Sequence, residues 1–96
     1  MANAEVPGKE IPSVTKKYLQ FTQKSMKLSP VTAIPGIGKT TGKEMRKKGF
    51  DLASKVLGKF LIDESGFKEW VGTFGADKGQ QKACFDGMKD WCGNFL

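Results

Sequence analysis

Apolar residues recur at helical spacing along most of this chain, and short breaks containing glycine or proline separate the repeats. In the first repeat, which follows Pro12 and Ser13, one predicted helix face carries Val14, Tyr18, Phe21 and Ser25. The last repeat predicts an amphipathic helix over residues 80–95, with one face formed by Cys84, Met88, Trp91, Cys92 and Phe95.

Between these repeats the chain predicts three further short helices. A turn or two of helix begins at Ser29-Pro30, and a second helix follows residue 38 and ends with Gly49 at its C′ position. A third covers residues 52–62, which we expect Asp51 to cap, and Ser65 is expected to cap a fourth over 67–74. The third is apolar on more than one face, which indicates a subunit interface.

These patterns predict an all-α fold, a compact bundle of about five short helices in a single domain at 13–96. The arm before it, residues 1–12, is expected to be flexible. No run resembles a β-strand, and no repeat of 20–50 residues is present.

Charge and composition restrict the function. The 96 residues include 16 Lys and Arg against 10 Asp and Glu, and the excess lies in residues 1–48, which carry ten basic and three acidic side chains. No apolar stretch reaches the length of a membrane span, and no secretory signal is visible. The chain has no His, which excludes imidazole zinc ligands and a Ser-His-Asp triad.

The two cysteines, Cys84 and Cys92, lie eight residues apart in one predicted helix. Eight helical residues rise about 12 Å, too far for a disulfide within the helix. We expect both to be small buried side chains in an intracellular protein. No metal, cofactor or catalytic constellation is indicated, so the chain is not expected to be an enzyme.

The segment from Ala33 to Lys43 allows two interpretations. It satisfies the P-loop pattern [AG]xxxxGK[ST], and Asp63 after an apolar run imitates a magnesium-binding strand. However, no strand-like run precedes it, and the chain is too short to build the parallel sheet that a P-loop needs. The P-loop interpretation is therefore disfavoured.

The favoured interpretation is a helix-hairpin-helix over about residues 29–49, in which Ile34, Gly36, Ile37 and Gly38 match the pattern hxGhG. Two glycines allow a sharp turn close to a phosphate, and Ile37 anchors the turn in the core. The amides of Gly38, Lys39 and Thr40 open the next helix toward an anion, while Lys39 and Lys43 add charge. Such a site contacts DNA backbone rather than base edges.

Several motifs, in order, resemble the barrier-to-autointegration factor family over residues 13–96: GIG before a basic helix and GFD, then VLGKFL, FKEW and a final CF…WC..FL. The resemblance implies a symmetric homodimer that binds double-stranded DNA without sequence preference and bridges two duplexes. It also implies compaction or tethering of chromatin, and LEM-domain nuclear-envelope proteins, lamins and histones as partners. The implied location is the nucleus, at chromosomes and the nuclear envelope, with a cytoplasmic pool.

The resemblance also assigns roles to individual residues. Implied DNA contacts are Lys16, Lys17, Gly36, Ile37, Gly38, Lys39, Thr40, Thr41, Lys43 and Lys78. The resemblance and the apolar helix at 52–62 together predict a dimer interface, which comprises Val56, Gly58, Leu61 and Ile62. Ser13 and Thr15 match phosphorylated positions, where added negative charge would oppose DNA binding.

Three features depart from the family pattern. The arm before Ser13 is longer, the turn at 63–66 is about three residues shorter, and Glu44 replaces a basic residue on the DNA-facing helix. The shortened turn borders the groove that receives LEM domains in the family. An alternative function is therefore a protein-interaction adaptor at the nuclear envelope with weakened DNA binding.

Overall fold

The computed structural model describes residues 16–26 and 28–96 of the chain, which contain five α-helices and one 3-10 helix. They are α1 (Lys16–Thr22), the 3-10 helix (Val31–Ala33), α2 (Lys39–Lys47), α3 (Ala53–Ile62), α4 (Phe67–Gly72) and α5 (Lys78–Phe95). No strand occurs in these ranges, and the all-helical prediction is confirmed. The expected arm at 1–12 and the helix start at Ser13 lie outside the described residues.

The longest helix, α5, packs against α1, α3 and α4, while the 3-10 helix packs against α2 and α3. An antiparallel bridge between Pro30 and Leu52 joins the residue before the 3-10 helix to the residue before α3, because Val31 N donates to Asp51 O at 2.9 Å and Ala53 N donates to Ser29 O at 3.0 Å. The segment before α2 is thereby fixed to the start of α3.

The core lies where these helices meet. Its fully buried side chains come from every segment between the 3-10 helix and α5, and they include Val31, Ile34, Ile37, Met45, Val56, Phe67, Val71, Cys84 and Met88. Edge-to-face ring pairs extend it, with Phe60 5.2 Å from Phe67 and 5.5 Å from Phe85 between ring centroids. Such pairs each add about 0.5–1.5 kcal/mol beyond their buried area.

The ends of α2 and α5 follow local rules. Gly49 has φ +91°, with its N–H donating to Arg46 O, and Phe50 N donates to Met45 O, a Schellman arrangement that confirms the predicted C′ glycine. Helix α5 begins with a capping box: Asp77 accepts from Gln80 N, and the Gln80 side chain accepts from Asp77 N, both at 2.8 Å.

Three local predictions are wrong. Asp51 does not cap α3, whose N-cap is Leu52, because its carboxylate pairs with Lys55 Nζ at 2.8 Å instead. Ser65 does not cap α4, since its hydroxyl donates to Asp63 and Gly66 is the N-cap. Ser25 lies beyond α1, which ends at Thr22, and is exposed.

The end of α1 is attached to the end of α5 by three side chains. Tyr18 donates its hydroxyl hydrogen to the Asp90 carboxylate. Trp91 Nε1 donates to Lys24 O at 2.9 Å, and Asn94 Nδ2 donates to Thr22 O at 2.7 Å. Because two of these bonds end on backbone carbonyls, they fix the path of the chain where it leaves α1.

Candidate nucleic-acid interface

The turn at residues 34–38 joins the 3-10 helix to α2, and two isoleucine side chains anchor it in the core. Ile34 and Ile37 are both fully buried, and Ile37 N donates to Ile34 O at 3.1 Å. We call the 3-10 helix, this turn and α2 the hairpin. The predicted anchoring role of Ile37 is confirmed, so its side chain lies in the core and offers no surface to a ligand.

Gly36 is required by both conformation and packing. Its φ is +82°, and an added Cβ would lie 2.2 Å from Gln80 O and 3.2 Å from Cys84 N. Larger residues are excluded because the turn lies directly on the backbone of α5. This close approach, between positions 44 residues apart, is a contact that local sequence pattern could not reveal.

Gly38 has a different environment. It is the N-cap of α2, its φ is −94°, no side chain caps the helix, and an added Cβ would meet nothing within 4 Å. The first bonded amide of the helix is that of Gly42, which donates to Gly38 O at 2.8 Å. The preceding first-turn amides therefore lack intrahelical acceptors, which leaves α2 with an open, positively polarised end.

The exposed face of α2 begins at this open end. Lys39, Thr40 and Lys43 are exposed, and neither lysine forms an ion pair within the described part of the chain. Thr41 is only 5% exposed, so its side chain packs inside the hairpin. Of the two adjacent threonines in the first turn of α2, Thr40 is the one that presents its hydroxyl at the surface, and a DNA contact from Thr41 stays a prediction.

Lys17 joins α1 to the hairpin. Its Nζ donates to Ile37 O at 2.7 Å, and burial lowers the pKa of this amine while its interaction with Cys84 opposes that effect. The half-buried amine therefore stabilises the turn itself, a role that the sequence did not indicate. Lys16, one residue earlier, is exposed.

Lys78 is the first residue of α5 and is exposed. Because Gly36 lies against Gln80 O, the first turn of α5 is adjacent to the hairpin turn, and Lys78 enters the same region. The two helix starts differ in charge. Asp77 places a carboxylate on the start of α5, whereas α2 begins without any capping side chain, so of these two adjacent helix starts only that of α2 offers an anion an open end.

Glu44, the departure on α2, pairs with Lys47 at 3.3 Å. Both side chains are about half exposed, so the pair contributes little to stability and partly neutralises the second half of the helix. Lys39 lies at the opposite end of α2, whereas Lys43 lies at its middle, next to Glu44 in the sequence. Ser13 and Thr15, the implied phosphorylation positions, lie outside the described residues.

The implied dimer residues occupy two environments on α3. Leu61 and Ile62 are 57% and 82% exposed, and Gly58 is partly exposed with open space at its Cβ position. Val56 is fully buried and belongs to the core cluster of the same chain, so its assignment to the dimer interface stays a prediction.

The structure opposes the nucleotide-binding interpretation. A 3-10 helix, not a strand, precedes the turn, and the apolar run ending at Asp63 is the last turn of α3.

Burial raises the pKa of the Cys84 thiol to about 12, and both cysteines are free. No group of three or more Cys, Asp or Glu side chains suited to a metal occurs among the described residues. No helix there is long and apolar enough to cross a bilayer.

Comparison with known proteins assigns the chain to a family. The family model described as Barrier to autointegration factor matches residues 12–95. The chain belongs to the barrier-to-autointegration factor family. A factor of that name from Danio rerio is 41% identical over 88 residues, 88% of this chain and 98% of the relative.

Two other relatives match a similar share of the sequence. The barrier-to-autointegration factor of Homo sapiens is 39% identical over 88 residues, which span 88% of this chain and 99% of the relative. That of Drosophila melanogaster is 36% identical over 86 residues, 85% and 96% respectively. The resemblance seen in the motifs is confirmed, and it extends over nearly the whole family domain.

Proposed function

We propose that this chain binds double-stranded DNA through its backbone phosphates, without reading the base sequence, and that the hairpin is the contact surface. The observation that carries the proposal is the open start of α2. The amides after Gly38 have no side-chain cap, and the Cβ position of Gly38 is free space. Lys39 and Lys43 follow it and form no ion pair among the residues that the structure describes. Amides, helix dipole and lysines together favour a phosphate.

The chemistry of the site favours phosphate over base edges. Base recognition in the major groove uses side chains such as Arg, Asn or Gln that form two parallel hydrogen bonds to one base. The exposed groups at the start of α2 are backbone amides, the Thr40 hydroxyl and two lysines, which can contact any phosphate. Affinity should therefore depend steeply on salt and weakly on sequence.

The proposal includes a symmetric dimer formed through α3. The exposed Leu61 and Ile62 are apolar surface that a second copy would cover, and Gly58 would allow close backbone approach. Such a dimer carries two hairpins and so can bridge two duplexes, which compacts or tethers chromatin in the nucleus. LEM-domain proteins, lamins and histones are partners that we propose from family membership.

A second candidate function is an adaptor at the nuclear envelope with weakened DNA binding. The Glu44–Lys47 pair favours it, because it reduces the positive charge of α2. The shortened turn at 63–66 adds a change near the proposed protein-binding surface. In this alternative no duplex would shift in a gel at low salt, whereas the dimer would form unchanged.

A substitution at Gly38 tests the site. Glu fits the space and the backbone conformation, so the fold should persist, while a carboxylate at the open end of α2 repels phosphate. We expect Gly38→Glu to weaken binding to a short duplex by at least about 100-fold, the scale of one or two lost charged hydrogen bonds. Fluorescence anisotropy at several salt concentrations measures it.

Gly38→Gln is the matched control, since it has the same size without the charge, and it should lose much less affinity. Thermal melting checks that both variants fold. Full DNA binding by a folded Gly38→Glu protein would show that the hairpin is not the site.

A further inference from the structure

A cleft of about 280 Å³ lies between α1 and the segment that leads into the hairpin. Its floor is apolar, because Phe21 and Met26 are 6% and 4% exposed. Its walls are polar or basic, and the side chains that form them include Lys17, Gln20, Lys24, Ser25, Ser29 and Thr32. We call this space the α1 cleft.

The α1 cleft is basic and has unused donors. Among the described residues, the charged side chains that line it are Lys17 and Lys24, and no carboxylate does so. Two other cavities each contain a carboxylate, Asp63 in one and Glu44 in the other. The side chains of Lys24 and Ser29 have no hydrogen-bond partner among the described residues, so both can bind a ligand.

The cleft and the hairpin share walls. Lys17, which lines the cleft, donates to Ile37 O in the hairpin turn at 2.7 Å. Thr32, another wall residue, has its methyl group 2.6 Å from the place that a Cβ on Gly42 of α2 would occupy. The cleft therefore adjoins α2 and the hairpin turn.

Hydrogen bonds to other helices hold two of the segments that line the cleft in place. Trp91 Nε1 donates to Lys24 O, which attaches the wall that carries Lys24 to α5. The opposite wall is fixed where Ser29 O accepts from Ala53 N at the start of α3. A prearranged site of this kind loses less conformational entropy when it binds.

The geometry points to the α1 cleft as a second phosphate site, in which Lys24, Ser29 and Thr32 bind a backbone phosphate of the same duplex that the hairpin contacts. The inference rests on the proposed DNA binding and extends it. A duplex strand carries a phosphate about every 3.4 Å along its axis, so a strand held at α2 presents further phosphates to an adjoining basic cleft. A cleft whose described lining carries hydroxyls and lysines but no carboxylate suits an oxyanion with many acceptor oxygens.

Salt dependence of binding counts phosphate contacts and so tests the inference directly. The full chain and its Lys24→Gln variant are titrated with one duplex between low and physiological salt. Loss of one contact should reduce the slope of log K against log salt by about 0.9 and weaken binding roughly 5- to 10-fold near physiological salt. Lys24→Arg, which retains the charge, should restore the wild-type slope.

Lys89→Gln is the matched control, because it removes the same charge from α5, where Lys89 pairs with Glu64 at 3.1 Å. It should leave the slope unchanged. If both variants change the slope equally, the effect is net charge alone and the inference is overturned. A Lys24→Gln protein with the wild-type slope also overturns it.

The two proposals fail in different ways. If the wild-type chain binds no duplex, or if Gly38→Glu binds normally, the proposed hairpin function fails and the cleft inference falls with it. If Gly38→Glu abolishes binding but Lys24→Gln changes nothing, only the cleft inference fails. Amide shifts at Ser29 and Thr32 in NMR spectra, on addition of duplex to the wild type, provide an independent readout and are expected.

Discussion

At the residue scale, Tyr18 is the group whose ionisation the fold changes most clearly. It is the single tyrosine of the chain, 8% exposed, and its hydroxyl donates to Asp90. Burial and then the Asp90 carboxylate raise the pKa of Tyr18 above its ordinary value. The folded state thus favours the protonated phenol, which holds α1 on α5.

The expected result is an absorbance titration of the native chain whose tyrosinate midpoint lies well above pH 10, against about 10 in urea. Because the pKa of Tyr18 is higher in the folded state, its contribution to stability is fully present below about pH 10. That contribution is lost as pH rises through the folded value.

Asp90→Asn serves as the comparison for this titration. Removing the carboxylate should lower the native midpoint of Tyr18 without bringing it to 10, since burial is the larger cause. A wild-type native midpoint equal to that in urea would contradict the arrangement of α1 on α5.

At the element scale, the starts of α2 and α5 show two ways to treat unpaired amides. At the start of α5, the Asp77 and Gln80 side chains accept hydrogen bonds from two backbone amides. At the start of α2, Gly38 has no side chain that could accept from the first-turn amides. Side-chain capping stabilises a helix, and its absence leaves donors for a ligand. The start of α5 thus contributes to stability, whereas the start of α2 leaves donors available for binding.

We expect Asp77→Ala to reduce the free energy of unfolding by about 1 kcal/mol, the usual worth of a helix cap. Urea denaturation measures the change. Asp86→Ala, which breaks only the i,i+4 pair with Lys82, should cost about 0.5 kcal/mol or less. Equal losses for the two variants would show that the capping box contributes nothing beyond ordinary surface charge.

Sequence periodicity identified the helices but not the contacts between them. Gly49 follows from a local rule, and so does the run that became α5. The Asp77–Gln80 capping box also has a local signal, an Asp three residues before a Gln. By contrast, Gly36 on Gln80 and Lys17 on Ile37 O join positions far apart in the chain, where no spacing rule applies.

At the scale of the whole molecule, one chain leaves apolar surface uncovered at the end of α3. Leu61 and Ile62 are exposed, although Val56 and Phe60 on the same helix are buried. Small domains have little stability in reserve, and a second subunit is a common way to bury such surface. This supports dimerisation through the α3 surface.

Leu61→Glu should convert the dimer to monomer at micromolar concentration, because burying an unpaired carboxylate at an apolar interface is unfavourable. Sedimentation velocity measures the mass. Leu28→Glu is the control, since Leu28 is 84% exposed on a different segment and should leave the dimer intact. A wild-type chain that sediments as a monomer would contradict the proposed interface.

The attachment of α1 to the end of α5 has a consequence for how the protein is made. Trp91 and Asn94 lie 67 and 72 residues after the carbonyls that they bind. During synthesis those carbonyls leave the ribosome long before their partners exist. The wall that carries Lys24 therefore gains this attachment only after residue 91 has been synthesised. A product truncated before Trp91 lacks it, so its α1 cleft has one fixed wall fewer.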